Sequence, residues 1–279
     1  NYQDELDSIG KKPDLLIFNR KDYEKSWGLN ISCFPSKELD RIVPKAICGI
    51  EVRSSSFLNK KYDLCSAVKI RTNLIAALTT RDTIIKEYGV LLKNKSIDIY
   101  NEIIKLNDKN ASHCSFRVPS WRKDPQEVEL VNKLKELKTN LNELKKRDYL
   151  SITPKVEDLK VVYNWIKKYG IPHFYVQVFF DCAYGISFLE ILELLKNPTS
   201  GKEDYSIESG DAKNQNKTTV KVNTRKCKMI LNNVAMPQTQ SYHKEIGSNG
   251  RLLFYVDFEP SEATIDKKNF NKLIGEDIF

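Results

Sequence analysis

The sequence predicts an α/β fold: a central mixed sheet flanked by helices, with a helical insertion and a basic C-terminal β element. Three observations carry that expectation. "IPHFYVQVFF" (171–180) is dense in β-branched and aromatic residues, the composition of a strand. Before it run a short strand-like stretch, "DYLSITPK" (148–155), and an amphipathic helical one, "VEDLKVVYNWIKKYG" (156–170). Strand, helix and strand at this spacing imply a right-handed crossover within one mixed sheet. Much earlier in the chain, Ala46 to Val52 reads as a buried strand that ends in polar residues.

The other elements follow in order. Residues 1–9 are acidic and read as the end of a helix. "KKPDLLIF" (11–18) then supplies a proline, an aspartate and a four-residue apolar strand. From 66 to 106 apolar residues recur at spacings of three and four, the period of a helix. A polar and aromatic loop, "SHCSFRVPSWRKDP", falls within 107–125. Leu130, Leu134, Leu137, Leu141 and Leu144 form a stripe along a helix over 126–146. Two heptads are too few for an autonomous coiled coil, so the stripe is expected to face a core. Gly170 is suited to end the helix of 156–170. Residues 196–219 are polar and turn-rich, an expected exposed loop. From Thr218 to Leu231 basic and apolar residues alternate, and a strand over 251–258 precedes a closing helix. No repeat or clean linker divides the chain, so the expectation is a single domain over 1–279.

An apolar fraction of 41% and a charged fraction of 29% suit a globular protein with a sizeable core. Lys and Arg exceed Asp and Glu by 45 to 37, a net +8 that suits a polyanionic partner without requiring one. The six cysteines include no CxxC pair and the three histidines are dispersed, which argues against structural zinc or a histidine metal site. Scattered thiols point to a reducing cytoplasm. No apolar run approaches the ~20 residues that span a bilayer, and no signal peptide is legible, so no membrane partner is expected.

The chemistry centres on "CGIEVRSSSF" (48–57). Side chains alternate along a strand, so Glu51 and Arg53 share a face. Alone, they make a strand-end salt bridge. Asp14, ahead of the preceding strand, adds a second carboxylate. If the two strands are neighbours, Asp14 and Glu51 converge at one edge of the sheet. Two carboxylates with a main-chain carbonyl, waters and a phosphate oxygen complete the hard-oxygen shell of Mg²⁺. Such a centre polarises a phosphodiester and activates water, while Arg53 or a lysine counters the charge that develops on phosphate.

"PD" at Pro13-Asp14, with "EVR" from Glu51 to Arg53, resembles a variant of the PD-(D/E)XK nuclease motif, where lysine normally stands in place of Arg53. "LSITPKVEDLKVVYNWIKKYGIPHFYVQVFFDCAYGISFLEIL" (150–192), with "PDLLIF" and "GIEVRSSSF", resembles type II restriction endonucleases of the AccI family. The resemblance implies a PD-(D/E)XK restriction-endonuclease-like core, with Asp14 and Glu51 as catalytic metal ligands. The third place of the motif falls on Arg53. An arginine stays protonated, which suits it to hold phosphate or transition-state charge and not to act as a general base. Lys155, just before the crossover helix, is the alternative for the missing lysine. The resemblance further implies a bacterial, cytoplasmic homodimer that cuts a short palindrome in double-stranded DNA. A hexamer with GT at one end and AC at the other, 5′-phosphate ends and a protecting DNA methyltransferase in the same system belong to the same expectation. Two other classes stay open. One is a sequence-specific DNA-binding protein without catalysis; the other is a non-specific or structure-specific PD-(D/E)XK nuclease of DNA repair.

Further residues suit DNA contact. Ser54 and Ser55 follow Arg53, Arg117 and Arg122 flank Trp121, and Arg225, Lys226 and Lys228 lie in a run with no acidic residue among them. Each has an ordinary reading as well: hydroxyls satisfying a strand end, a packed tryptophan, a solvated strand face. Gln177 either orients the site or faces solvent. Glu157 and Asp158 read as first-turn residues favoured by the helix dipole. Glu5 is a further carboxylate available from a preceding helix.

Overall fold

The computed structural model describes residues 13–278 apart from 29, 32–33, 198–200, 202, 210–216, 236–237, 247–250 and 260–261. The acidic start and Glu5 therefore lie outside the described residues. The chain forms two compact units, residues 1–60 with 150–279, and residues 61–149.

In chain order, β1 (Leu15–Phe18), α1 (Ser36–Ile42) and β2 (Ala46–Ser54) come first. The helices α2 (Asn59–Lys95), α3 (Ile97–Ile104) and α4 (Pro125–Leu144) follow. Then come β3 (Ser151–Ile152), α5 (Val156–Tyr169), β4 (His173–Val178), β5 (Ala183–Ser187), α6 (Phe188–Lys196), β6 (Tyr205–Glu208) and β7 (Thr219–Asn223). The described chain closes with β8 (Lys228–Val234), β9 (Thr239–Ile246), β10 (Arg251–Phe258), β11 (Ala263–Ile265) and α7 (Lys267–Ile274). No helix among the described residues is long and apolar enough to cross a membrane.

The first unit is mixed α/β. Its main sheet has six strands in the order β1-β2-β4-β5-β8-β11, parallel between β2 and β4 and antiparallel elsewhere. Strand alternation sorts the side chains into two layers. On one face Cys48, Ile50, Phe174 and Val176 pack with Phe270, Leu273 and Ile274 of α7. On the other, Tyr175 and Ile186 pack with Val162 of α5, Phe188 of α6, and Val220 and Val222 of β7. Each such fully buried side chain contributes about 1.5–3 kcal/mol, so both faces hold the sheet in place. Glu51 and Arg53 share the second face with Tyr175 and Gln177.

Several expectations change. β3 does not join the main sheet: it pairs with β7 in a three-stranded sheet ordered β3-β7-β6. The parallel neighbour of β4 is β2, so the crossover expected between 148–155 and 171–180 within one sheet is not formed. The cause is the brevity of β3, whose two residues find partners in Asn223 and Val222. β2 runs to Ser54, beyond the expected end at Val52, because β4 continues to pair with it through Arg53↔Gln177 and Ser54↔Val178. Within the stretch expected to be loop, Tyr205–Glu208 pairs with β7 as β6.

The helical unit consists of residues 61–149. The helix expected over 66–106 begins at Asn59 and is interrupted at Ser96, whose hydroxyl accepts the N–H of Ile99 and so starts α3. Leu130, Leu134, Leu137 and Leu141 of α4 are buried against Ala77, Ile84 and Leu92 of α2 and Ile103 of α3, so the stripe faces a core. At the start of α4, Asp124 accepts the N–H of Glu127 at 2.8 Å, and the buried Glu127 carboxylate pairs with Lys95.

Candidate active site

The first strand pair brings the "PD" and "EVR" segments near each other. Leu15 stands opposite Ile50, with Asp14 immediately before Leu15 and Glu51 immediately after Ile50. Asp14 Oδ2 accepts the backbone N–H of Val52 at 2.8 Å, which anchors the exposed aspartate to the strand that carries Glu51. Gly49 permits the approach. A Cβ there would lie 3.1 Å from Pro13 Cβ and 3.2 Å from Trp165 Cη2, tighter than a side chain tolerates without displacement.

Glu51 is fully buried, at 0% exposure. A buried carboxylate is costly unless it is paired. Arg53 Nη2 meets Glu51 Oε1 at 2.6 Å and Asp158 Oδ2 at 3.2 Å, so one guanidinium faces two carboxylates. The strand-end salt bridge is therefore present, and it lies on β2 beside the point where Asp14 is anchored.

Strand β4 and helix α5 complete the surroundings. Tyr175 pairs with Glu51 in register and Gln177 with Arg53. Burial first, then the charges of Glu51 and Asp158, raise the pKa of the Tyr175 phenol, against a smaller lowering by Arg53. Its buried hydroxyl has no hydrogen-bond partner among the described residues. Gln177 is buried, and its Oε1 accepts from Thr153 Oγ1 at 3.3 Å. Gln177 thus does not face solvent. Lys155 is the N-cap residue of α5. The helix start is pinned to the edge of β7: Val156 N–H donates to Thr218 O at 2.9 Å, and Thr218 N–H to Glu157 Oε1 at 2.8 Å. The N–H of Thr218 and, after it, the N–H of Glu157 itself donate to the Glu157 carboxylate and hold it below its usual range. The same first turn of α5 thus carries Lys155 and delivers Asp158 to Arg53.

Among the described residues no group of three or more His, Cys, Asp or Glu is gathered to hold a metal. Asp14, just ahead of β1, and Glu51, on the neighbouring β2, are hard oxygen donors that fit an ion such as Mg²⁺, which takes one or two carboxylates and completes its shell with water and phosphate. The orphaned Tyr175 hydroxyl beside Glu51 adds a polar group to that position.

The remaining candidates are placed differently. Ser54 ends β2 exposed, and the N–H of Ser55 donates to Val178 O at 2.9 Å. Arg117 and Arg122 are exposed in the helical unit, where Trp121 packs against that unit's core. Arg225 is exposed in a 3₁₀ turn between β7 and β8. The run that lacks acidic residues in sequence acquires them in space: Lys226 pairs with Asp204 at 2.8 Å and Lys228 with Glu190 at 3.6 Å. Asp158 is the residue that sequence reasoning assigned to the helix dipole and the fold places on Arg53. The signal that pointed to it is its position three residues after Lys155, in the first turn of the helix that leads into β4.

Comparison with protein families adds a match along almost the whole chain: the family described as AccI restriction endonuclease covers residues 1–278. No curated protein and no solved structure matches the chain. With that match running over nearly its full length, the chain belongs to the AccI restriction endonuclease family.

Proposed function

We propose that the protein is a type II restriction endonuclease that hydrolyses phosphodiester bonds at a short palindromic site in double-stranded DNA, with Mg²⁺, leaving 5′-phosphate ends. The observation that carries this reading is the Asp14–Val52 hydrogen bond, which holds the aspartate of "PD" beside the glutamate of "EVR". Asp14 and Glu51 are the residues that would hold the ion. When bound, it supplies Lewis-acid activation of the phosphodiester and of the attacking water. Arg53 counters charge on the phosphate, and Lys155, at the start of α5, is the alternative for that work. Ser54, Ser55, Arg117, Arg122, Arg225, Lys226 and Lys228 are the candidates for DNA contact, and both compact units serve one endonuclease. A homodimer matches a two-fold DNA site, one active site to each strand, in a bacterial cytoplasm where a methyltransferase protects the host sequence.

Incubation with phage DNA, with Mg²⁺ and with EDTA, tests the reading. Discrete fragments with Mg²⁺ alone support restriction. A smear supports a non-specific nuclease. The Arg53–Glu51 ion pair favours one second reading, a DNA-binding protein without cleavage, because it occupies a carboxylate the metal needs. Shifted but intact DNA in a binding gel would support that alternative.

A further inference from the structure

Arg53 stands between two carboxylates of unequal burial. Its Nη2 is 2.6 Å from Glu51 Oε1 and 3.2 Å from Asp158 Oδ2, with side-chain exposures of 30% for Arg53, 0% for Glu51 and 22% for Asp158. The charge of Glu51 needs a cation in contact. A guanidinium and a divalent ion on the same carboxylate repel each other. The two therefore compete for Glu51, and an arginine expelled into a partly buried space with no acceptor would be costly. Asp158 removes that cost, because it already lies within reach of the same nitrogen. The five donors of a planar fork allow the guanidinium to turn from one carboxylate to the other.

We infer that Asp158 is a positioning residue: it receives Arg53 from Glu51 when Glu51 turns to a divalent cation. The inference rests on the reading of Glu51 as a metal ligand. In the metal-free enzyme Arg53 neutralises the buried carboxylate; on Asp158 it keeps its charge at the rim of the site, where a phosphate can reach it. This handover gives the arginine of "EVR" a use that a lysine in the same place would serve less well, since a single ammonium does not span two carboxylates as a fork does.

The test is Mn²⁺ binding to DNA-free protein by calorimetry, in a double-mutant cycle. Asp158→Asn is expected to weaken Mn²⁺ binding about tenfold, a coupling of the size seen between contacting charges. In an Arg53→Gln background the same substitution is expected to change affinity by less than about twofold, because no arginine remains to be received. Asp158→Glu, which keeps the carboxylate, restores binding to near wild type. Equal weakening in both backgrounds overturns the inference, since Asp158 would then act only through its overall field. An unchanged affinity in Asp158→Asn overturns it as well. Should Arg53→Gln fail to fold, Arg53→Lys replaces it, with the Asp158→Asn effect expected to shrink there too. Glu51→Gln separates the two layers of the argument. Wild-type Mn²⁺ affinity in that variant overturns the ligand assignment itself, whereas lost affinity without coupling in the cycle overturns the role of Asp158 alone.

Discussion

Asp14 Oδ2 accepts the N–H of Val52 at 2.8 Å, and this bond fixes the aspartate next to the strand position of Glu51. Residues 38 apart in sequence thereby share one site. The bond uses one oxygen of a carboxylate, and a carboxylate offers about four lone-pair positions, so Asp14 retains acceptor capacity.

Asp14→Asn keeps an oxygen for the Val52 N–H, while Glu51→Gln removes the negative charge that Arg53 faces. Both are expected to abolish cleavage and to leave DNA binding within about tenfold, a change of at most ~1.4 kcal/mol. Gel-shift affinities measured beside single-turnover rates check this. Near-wild-type cleavage in both variants would rule the pair out.

Arg53→Ala strands the buried Glu51 without its cation and is expected to cost about 3 kcal/mol of stability. Its cleavage rate should fall by roughly 10² to 10³, the loss seen when a donor to transition-state charge is removed. Arg53→Lys keeps the charge and should retain measurable activity. If Lys155 does the work, Lys155→Ala shows the large rate loss with a smaller fall in melting temperature than Arg53→Ala, because it leaves the Glu51–Arg53 pair intact. Rates and thermal melts of the three variants at saturating Mg²⁺ separate the two assignments.

The basic run of the C-terminal half is expected to divide by its ion pairs. Arg225 is exposed, whereas Lys226 and Lys228 face Asp204 and Glu190. Arg225→Ala should weaken DNA binding and lower the salt slope by about 1, the signature of one lost phosphate contact. Lys226→Ala and Lys228→Ala should each lower it less. A salt titration of binding reads this directly, and equal slopes in all three variants and wild type would mark an ordinary solvated surface.

Gly49→Val places branched carbons where Pro13 and Trp165 already lie 3.1 and 3.2 Å from a Cβ. The expected cost is about 1–3 kcal/mol from overpacking, with cleavage reduced because Pro13 carries Asp14 with it. Gly49→Ala should do less on both counts. A melt that drops with an intact cleavage rate would show that Asp14 is held by Val52 alone.

Local patterning made much of the fold legible. β4 was readable from its β-branched and aromatic run, the α4 stripe from its spacing, and the end of α5 from Gly170, whose φ of +70° only glycine adopts without strain. The motif halves at Asp14 and Glu51 were visible as residue types, and their convergence was conditional on the pairing of two strands. The sheet assignment of β3 was misread because two residues carry too little pattern to choose a partner.

By itself, then, the sequence determined the strands and helices with strong local pattern, the candidate carboxylates and the family they resemble. Only the tertiary structure decided that β1 and β2 are neighbours, that Asp158 reaches Arg53 from 105 residues away, and that Lys226 and Lys228 meet acidic partners. The reason is physical. Helix and strand periods come from the geometry of adjacent residues, whereas pairing and charge neutralisation depend on distances that exist only once the sheet and α5 have packed.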